Sequence, residues 1–138
     1  FIDRMDEKNG IVRVLDYKTG QGDLKFADVA KMFETDNAKR PKYAFQTFLY
    51  CVLLDKELQG KILTPGIIVL RDIFKQDFST ALYDTTNKIS VGNFADYEAE
   101  FRAHLTALLE DIFNPEIPFA ATTDTKTCEH CIFAKICG

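Results

Sequence analysis

The sequence predicts an α/β domain in which a small mixed β-sheet is flanked by helices. Three patterns predict it: short β-branched runs at residues 11–15 and 62–70, an apolar stretch without Gly or Pro at residues 43–58, and apolar residues at helical spacing between residues 94 and 112. The chain has 138 residues, of which 46% are hydrophobic and twelve are Phe. A chain of this length buries roughly two-thirds of its unfolded surface, which is enough for one hydrophobic core.

A β-hairpin is predicted at the start of the chain. Residues 1–5 and 11–15 read as strands, and Asn9 and Gly10 between them are residues that tight hairpin turns prefer. The second strand continues to Lys18, after which two closely spaced glycines end it.

The remaining elements follow from apolar periodicity and from the positions of Gly and Pro. Pro65 and Gly66 interrupt the start of the second β-branched run, so the strand is predicted to begin at Ile67. In chain order, we predict a short helix at 24–33, a buried helix at 43–58, a strand at 67–70, a short strand near 81–83, and a helix that Asn93 caps and that ends before Pro115.

The charge balance limits the possible partners. Seventeen Lys and Arg against 21 Asp and Glu give a formal net charge of −4, so nucleic acid would have to bind a local basic patch. No apolar run approaches the roughly 18 residues that cross a bilayer, and no export signal is visible, so we expect a soluble, cytoplasmic protein. Because the chain begins at Phe1 within an apparent strand, we expect it to be a fragment of a larger protein.

Two carboxylates and an amine are expected on one face of the hairpin. Side chains alternate along a strand, so Asp16 and Lys18 project to the same side, and the hairpin register brings Asp3 near Asp16. Adjacent carboxylates repel unless a cation lies between them, and Mg²⁺ prefers such oxygen ligands. A neighbouring Lys can orient an attacking water and stabilise charge on a phosphate. The pattern indicates phosphodiester hydrolysis, and the alternative is an ordinary ion pair at the strand ends.

Four short sequence motifs together resemble those of a known nuclease family. They are FIDRMD at residues 1–6, VLDYKTG at residues 14–20, QTFLY at residues 46–50, and the cysteines Cys128, Cys131 and Cys137. In this order they resemble the RecB-like branch of the PD-(D/E)XK nuclease superfamily, and most closely the C-terminal nuclease domain of AddB-type helicase-nuclease subunits. The resemblance runs from Asp3 to Cys137 and implies a restriction-endonuclease-like core.

The resemblance implies a role for each matching residue of the hairpin. Asp3 and Asp16 would bind Mg²⁺, with Mn²⁺ as a substitute, and the backbone carbonyl of Tyr17 would complete the metal site. Lys18 would be the catalytic lysine.

Further residues are candidates for binding DNA. The resemblance implies that Gln46 and Tyr50, which lie four residues apart on one helix face, flank the active site and contact DNA. Without the resemblance, Tyr50 reads as a core residue. Lys39, Arg40 and Lys42 cluster before the same helix, with Lys31, Tyr43 and Phe45 nearby. They would place phosphate-binding cations and an aromatic ring at the mouth of the active-site cleft, although a solvated linker at a helix start explains them as well.

The implied function is Mg²⁺-dependent exonuclease cleavage of DNA, from the end of a single strand that an attached helicase delivers during double-strand break repair. A stand-alone RecB-like nuclease of CRISPR adaptation is one alternative. A catalytically silent DNA-binding or scaffolding module is the other.

The chain departs from the family pattern at its start. The family's core opens with a helix that supplies a further acidic or His group to the metal site, and the sequence has nothing before Phe1 to provide it. We therefore predict a nuclease core without its first helix at residues 1–122 and a cysteine-rich tail at residues 123–138. We expect this fragment alone to have impaired or no nuclease activity.

The three tail cysteines are spaced for a metal or cluster. Cys128, Cys131 and Cys137 are one ligand short of a tetrahedral zinc site or a 4Fe-4S cluster. The resemblance implies a 4Fe-4S cluster completed by a cysteine upstream of the core, so we expect an incomplete or empty site in the fragment. His130 would be a strained fourth ligand for zinc, and Cys51 reads as a small core residue.

Overall fold

The computed structural model describes residues 1–34, 39–118, 120, 128–129 and 131–134. Within these ranges, six strands and two α-helices follow one another as β1 (Arg4–Lys8), β2 (Ile11–Lys18), β3 (Lys25–Phe26), α1 (Lys42–Leu54), β4 (Ile62–Val69), β5 (Tyr83–Asp84), β6 (Ile89–Ser90) and α2 (Ala95–Phe113). One sheet has the order β1-β2-β4, and a smaller one has the order β3-β5-β6. The arrangement confirms the predicted α/β class with small mixed sheets and flanking helices.

The first hairpin is closed by its turn residues. Asn9 and Gly10 have φ angles of 55° and 78°, and the two-residue type I′ turn requires positive φ at both positions. The antiparallel register of β1 and β2 ends with Arg4 opposite Leu15 at the open end of the hairpin. The predicted hairpin is therefore confirmed.

Strand β4 pairs with β2 in parallel and is longer than the sequence predicts. It begins at Ile62 rather than at Ile67, and Pro65 lies within it, opposite Val14. Proline lacks an N–H group and is tolerated where one side of a strand is not paired along its length. Because β4 is an edge strand of its sheet, Pro65 does not interrupt it.

The helix predicted at residues 24–33 is wrong. This segment contains the short strand β3, which pairs in parallel with β5, followed by a single 3-10 turn at Ala30–Met32. The Leu24 carbonyl accepts a hydrogen bond of 2.8 Å from the Tyr83 N–H. Phe26 is buried, and its ring lies 5.7 Å from that of Phe48. Pairing with a distant strand and burial of one ring decide the local structure here.

Helix α1 covers one face of the larger sheet. It packs on β2 and β4 through a buried face that includes Ala44, Phe48 and Cys51. The spacing of four and three residues places these side chains on the same side of the helix. The helix ends at Leu54, whereas the apolar stretch predicts an end at Leu58, because residues 55–60 form turns.

Helix α2 packs on α1 and closes the core. Phe101 is fully buried, and its ring lies 5.5 Å from that of Phe48. The helix begins at Ala95 and its N-cap is Phe94, one residue after the predicted cap Asn93. Asn93 still contributes, because its Oδ1 accepts the Ala95 N–H over 3.2 Å. Among the described helices, none combines the length and apolar character needed to cross a membrane.

Candidate active site

The end of β2 carries a buried carboxylate. Asp16 is only 3% exposed, and it lies on the sheet face that α1 covers, with Val14 before it and Lys18 after it. In the parallel register Asp16 is opposite Ile67 of β4. The alternation along β2 therefore directs this acidic side chain into the space between sheet and helix.

Lys18 is the partner of this carboxylate, and it leaves one oxygen incompletely satisfied. The Lys18 Nζ lies 2.6 Å from Asp16 Oδ2, but the contact lacks the alignment of a hydrogen bond. No described residue donates a hydrogen bond to this buried oxygen. Buried charged oxygens normally accept hydrogen bonds or bind a metal, so Oδ2 is an unexplained acceptor at the end of β2.

Helix α1 contributes a polar chain to the same place. Lys18 Nζ donates to Gln46 Oε1 over 2.9 Å, and Gln46 Nε2 donates to Tyr50 Oη over 2.7 Å. The predicted pair Gln46 and Tyr50 thus meets Lys18 on one helix face. Gln46 directs its amide toward the lysine, and Tyr50 combines a buried ring with a bonded hydroxyl.

Tyr43 belongs to this group, whereas the sequence placed its ring only at the mouth of the cleft, beside the basic cluster. Its ring centroid lies 4.8 Å from Lys18 Nζ and 5.3 Å from Lys42 Nζ. The signal for it was present, because Tyr43, Gln46 and Tyr50 follow one another at spacings of three and four residues. The contact itself depends on how α1 packs on β2.

Asp3 lies one residue before β1, at the open end of the hairpin. The antiparallel register ends with Arg4 opposite Leu15, the residue before Asp16, so Asp3 comes close to the end of β2 that carries Asp16. Asp3 Oδ2 accepts a hydrogen bond of 2.8 Å from the Tyr17 N–H. The carboxylate therefore lies at the open end of β1, against the backbone of β2.

These oxygens suit a hard divalent cation. In an extended strand the N–H and C=O of one residue point to the same side, and the Tyr17 N–H points to Asp3, so its carbonyl faces that side as well. The two carboxylates and this carbonyl are the candidate oxygen donors at this end of β2, and Mg²⁺ is commonly bound by one or two carboxylates plus waters. Within the described ranges, no group of three or more His, Cys, Asp and Glu side chains forms a metal site. The observation that favours a cation here is the buried Oδ2 of Asp16, which lies beside the Lys18 ammonium and accepts no aligned hydrogen bond from the described residues.

A basic groove lies beside this group. The groove has a volume of about 510 Å³ and is lined by Gln21, Gly22, Asp23, Lys39, Arg40, Pro41, Lys42 and Tyr43. Another cavity, of about 520 Å³, lies at the end of α2 and is not part of this site. The three cations predicted to bind DNA therefore line one groove together. Tyr43 forms part of its wall and also contacts Lys18. The predicted DNA-binding cluster is adjacent to the predicted catalytic lysine.

The three cysteines that the structure describes differ in exposure. Cys51 is fully buried, and burial raises the pKa of its thiol to about 12, so it is not a thiolate near neutral pH. This confirms the prediction that it is a core residue. Cys128 is partly exposed, Cys131 is exposed, and the Cys131 N–H donates to the Cys128 carbonyl over 3.1 Å in a turn. Cys137 and His130 lie outside the described residues, as does the predicted boundary between residues 122 and 123.

The chain matches the model of a known protein family. A family model described as the PD-(D/E)XK nuclease superfamily matches residues 1–138. No curated protein and no solved structure matches the chain.

Proposed function

Since the chain belongs to the PD-(D/E)XK nuclease superfamily, we propose that it is a divalent-metal-dependent nuclease that hydrolyses phosphodiester bonds of DNA. The observation that supports this most strongly is the buried Asp16 carboxylate at the end of β2. Its Oδ2 lies beside the Lys18 ammonium and accepts no hydrogen bond from the described residues. Burying a charged oxygen without hydrogen bonds lowers the stability of the folded protein. Acids in such surroundings are found preferentially at functional sites.

The proposed metal ligands are Asp3, Asp16 and the Tyr17 carbonyl. Mg²⁺ or Mn²⁺ bound there would supply a Lewis acid that polarises the phosphate and lowers the pKa of a bound water. Lys18 acts on the reacting groups directly. Its ammonium is held by Gln46 Oε1, from which position it orients the attacking water and stabilises negative charge on the phosphate.

The proposed DNA contacts lie on α1 and just before it. Gln46 and Tyr50 line the approach to Lys18, and Lys39, Arg40 and Lys42 bind backbone phosphates in the adjoining groove. Phosphate contacts of this kind position a strand without reading its sequence.

The finer assignment rests on the sequence motifs described above. We propose that the chain is a RecB-like exonuclease domain of the AddB type, which degrades single strands supplied by a helicase during double-strand break repair. We further propose that the tail at residues 123–138 contributes Cys128, Cys131 and Cys137 to a 4Fe-4S cluster. The exposed Cys131 and the turn that joins it to Cys128 are compatible with such ligands.

Cleavage of end-labelled DNA tests the proposed function. The intact protein is incubated with single-stranded and double-stranded DNA in a titration of Mg²⁺ or Mn²⁺, beside Lys18→Ala and the control Lys56→Ala. We expect metal-dependent cleavage that Lys18→Ala lowers by about 10²- to 10³-fold, the usual cost of removing a group that stabilises developing charge. Lys56 lies just beyond the far end of α1, so the control should cleave like the wild type. Equal metal-dependent behaviour of the wild type and Lys18→Ala would instead support a silent DNA-binding module.

A further inference from the structure

Two neighbouring cavities share a wall. The groove of about 510 Å³ beside Tyr43 and a second cavity of about 190 Å³ are both lined by Lys39 and Pro41. The second cavity is completed by Lys25, Phe26, Ala27 and Lys31. A continuous surface therefore runs from the catalytic lysine, across Tyr43 and the groove, to strand β3.

The walls of this surface are held in place by the fold. Tyr43 Oη donates to the Gln21 carbonyl over 3.4 Å, which connects α1 to the loop after β2. Gly22 packs so closely on β4 that a Cβ atom there would lie 2.5 Å from Val69 Cγ2. Lys25 follows in β3, which pairs with β5. The groove thus lies between segments that packing and strand pairing fix.

The charge on this surface is opposite to that of the chain. The formal net charge is −4, yet the lining residues of the two cavities include the cations Lys25, Lys31, Lys39, Arg40 and Lys42. Lys31 forms an ion pair with Glu34, so it contributes less free charge to this surface. Among the described lining residues the acidic side chain is Asp23, and its Oδ1 accepts the Lys25 N–H over 2.9 Å. Several cations along one groove suit a polyanion with repeated charges.

We infer that the two cavities form one phosphate track that binds the backbone of a nucleic acid strand on one side of the bond to be cut. Lys42 and Arg40 hold the phosphates near Lys18, and Lys25 marks the far end of the track. This inference rests on the proposed function and adds to it a one-sided footprint. A strand must extend past the reacting phosphate on that side to gain the full affinity.

The track is tested by the salt dependence of DNA binding. The whole chain is mixed with a fluorescent single-stranded oligonucleotide without divalent metal, so that no strand is cut, and affinity is measured by anisotropy over a range of salt. The Lys25→Ala/Lys42→Ala variant is compared with Lys8→Ala/Lys56→Ala. Both variants lose two exposed lysines and change net charge equally, but the control pair lies outside the track.

The expected result is a change in slope specific to the track variant. Each lost phosphate contact lowers the slope of log K against log salt by about 0.7 for single strands, so the track variant should lose about 1.4. The control should keep the wild-type slope, and circular dichroism shows whether both variants are folded. Equal slopes for the two variants would overturn the track.

A cleavage assay with the same substitutions made in the intact protein separates this inference from the proposed function. If the control variant cleaves DNA with metal while both variants bind with equal slopes, the nuclease stands and the track is overturned. If neither cleaves but the track variant loses slope, the track is supported and the nuclease proposal fails.

Discussion

Asp16 and Lys18 are the residues in which stability and function conflict. Asp16 has 5% of its side chain exposed and Lys18 has 22%, so the pair is largely removed from water. Desolvation of two charges costs several kcal/mol, and their attraction repays it only when the remaining polar atoms are also satisfied. Oδ2 of Asp16 accepts no hydrogen bond from the described residues. A second cation at this oxygen would complete the balance.

Replacing Lys18 by Met should expose this conflict. The variant leaves the Asp16 carboxylate buried without its ammonium, so we expect a loss of about 3–5 kcal/mol in the free energy of unfolding, measured with urea. Added Mg²⁺ or Mn²⁺ should recover part of the loss, because a bound cation stabilises the folded state.

The control for this prediction is the exposed pair Lys61 and Glu7. Surface ion pairs contribute about 0–1 kcal/mol, so Lys61→Met should cost less than about 1 kcal/mol and should not respond to the metal. If Lys18→Met costs no more than Lys61→Met, Asp16 does not depend on a neighbouring positive charge.

At this scale the sequence predicted more of the strand residues than of the helix residues. The alternation along β2 placed Asp16 and Lys18 on one face, and the turn at Asn9 set the register of β1 and β2, which ends with Arg4 opposite Leu15. Tyr43 was expected at the mouth of the cleft, but its contact with Lys18 was not predicted, because that contact depends on the position of α1 over the sheet. Spacing along one helix does not fix that position.

Among the strands and helices, those with strong signals in neighbouring residues were predicted correctly from the sequence. The hairpin turn and α2 have strong signals in adjacent residues, and both were predicted. Strand β3 and the first half of β4 were missed because a distant partner determines them. Phe26 pairs with Asp84 across the small sheet, and Pro65 is tolerated only because β4 lies at an edge.

Gly66 is the position in β4 that depends most on the absence of a side chain. A Cβ atom there would lie 2.6 Å from the Thr80 carbonyl oxygen and 2.9 Å from Leu15 Cδ2. The segment that returns from β4 is held at this point, since the Ile67 N–H donates to the same Thr80 carbonyl over 2.8 Å. We expect Gly66→Ala to lower the free energy of unfolding by about 1–3 kcal/mol, the usual cost of overpacking.

Gly20→Ala is the matched control for this prediction, because nothing lies within 4 Å of a Cβ at that position. Urea unfolding of both variants and the wild type gives the comparison. Equal stability of Gly66→Ala and Gly20→Ala would mean that the returning segment is not packed on β4 as described.

The turn after β5 is organised by a second buried carboxylate. Asp84 Oδ1 accepts the N–H groups of Thr86 and Asn87, each over 2.9 Å. Asp84 Oδ2 accepts from the Asn87 amide at 2.7 Å and from Tyr97 Oη at 3.1 Å. Burial raises the pKa of Asp84, but these hydrogen bonds outweigh it and hold the pKa below the ordinary value of 3.8. Unlike Asp16, this carboxylate is fully satisfied and therefore structural.

The lowered pKa gives a pH-dependent prediction. A carboxyl group whose pKa is lower in the folded than in the unfolded state stabilises the protein at any pH above the unfolded-state pKa. This contribution is lost as the pH falls from about 3.8 through the pKa of the folded state. The difference in unfolding free energy between the wild type and Asp84→Asn should therefore be larger at about pH 6 than at about pH 2.5. A difference that stays constant across this range would contradict the role of the ionised carboxylate.

At the scale of the whole molecule, the site lies where the two parallel strands end. Asp16 and Lys18 are among the last paired residues of β2 and β4, and the pairing ends with Lys18 opposite Val69. Ligands in α/β proteins commonly bind outside the carboxyl ends of parallel strands, because the connecting segments there can be varied without disturbing the sheet. In this chain, the basic groove is built from such a segment, the loop after β2, together with the start of α1.

The sequence predicted the fold class and the superfamily of the chain better than it predicted its partners and its cluster. Hydrophobic content, periodicity and the four sequence motifs led to the α/β class and to the nuclease superfamily, and the family match over residues 1–138 supports both. The AddB-type branch, the helicase partner and the 4Fe-4S cluster stay proposals. They depend on partner proteins and on the cysteine tail, which the strands and helices do not determine. Cys137, for example, lies outside the described residues.

The central claim is that Asp3 and Asp16 together bind a divalent cation, and a calorimetric titration of Mn²⁺ into the chain tests it most directly. We expect one binding site in the wild type, lost in both Asp3→Asn and Asp16→Asn. The control Asp6→Asn should keep the site, because Asp6 lies on the same hairpin but is engaged by Arg13 at 2.7 Å and 2.8 Å. Binding of Mn²⁺ by Asp16→Asn with the affinity of the wild type would contradict the claim.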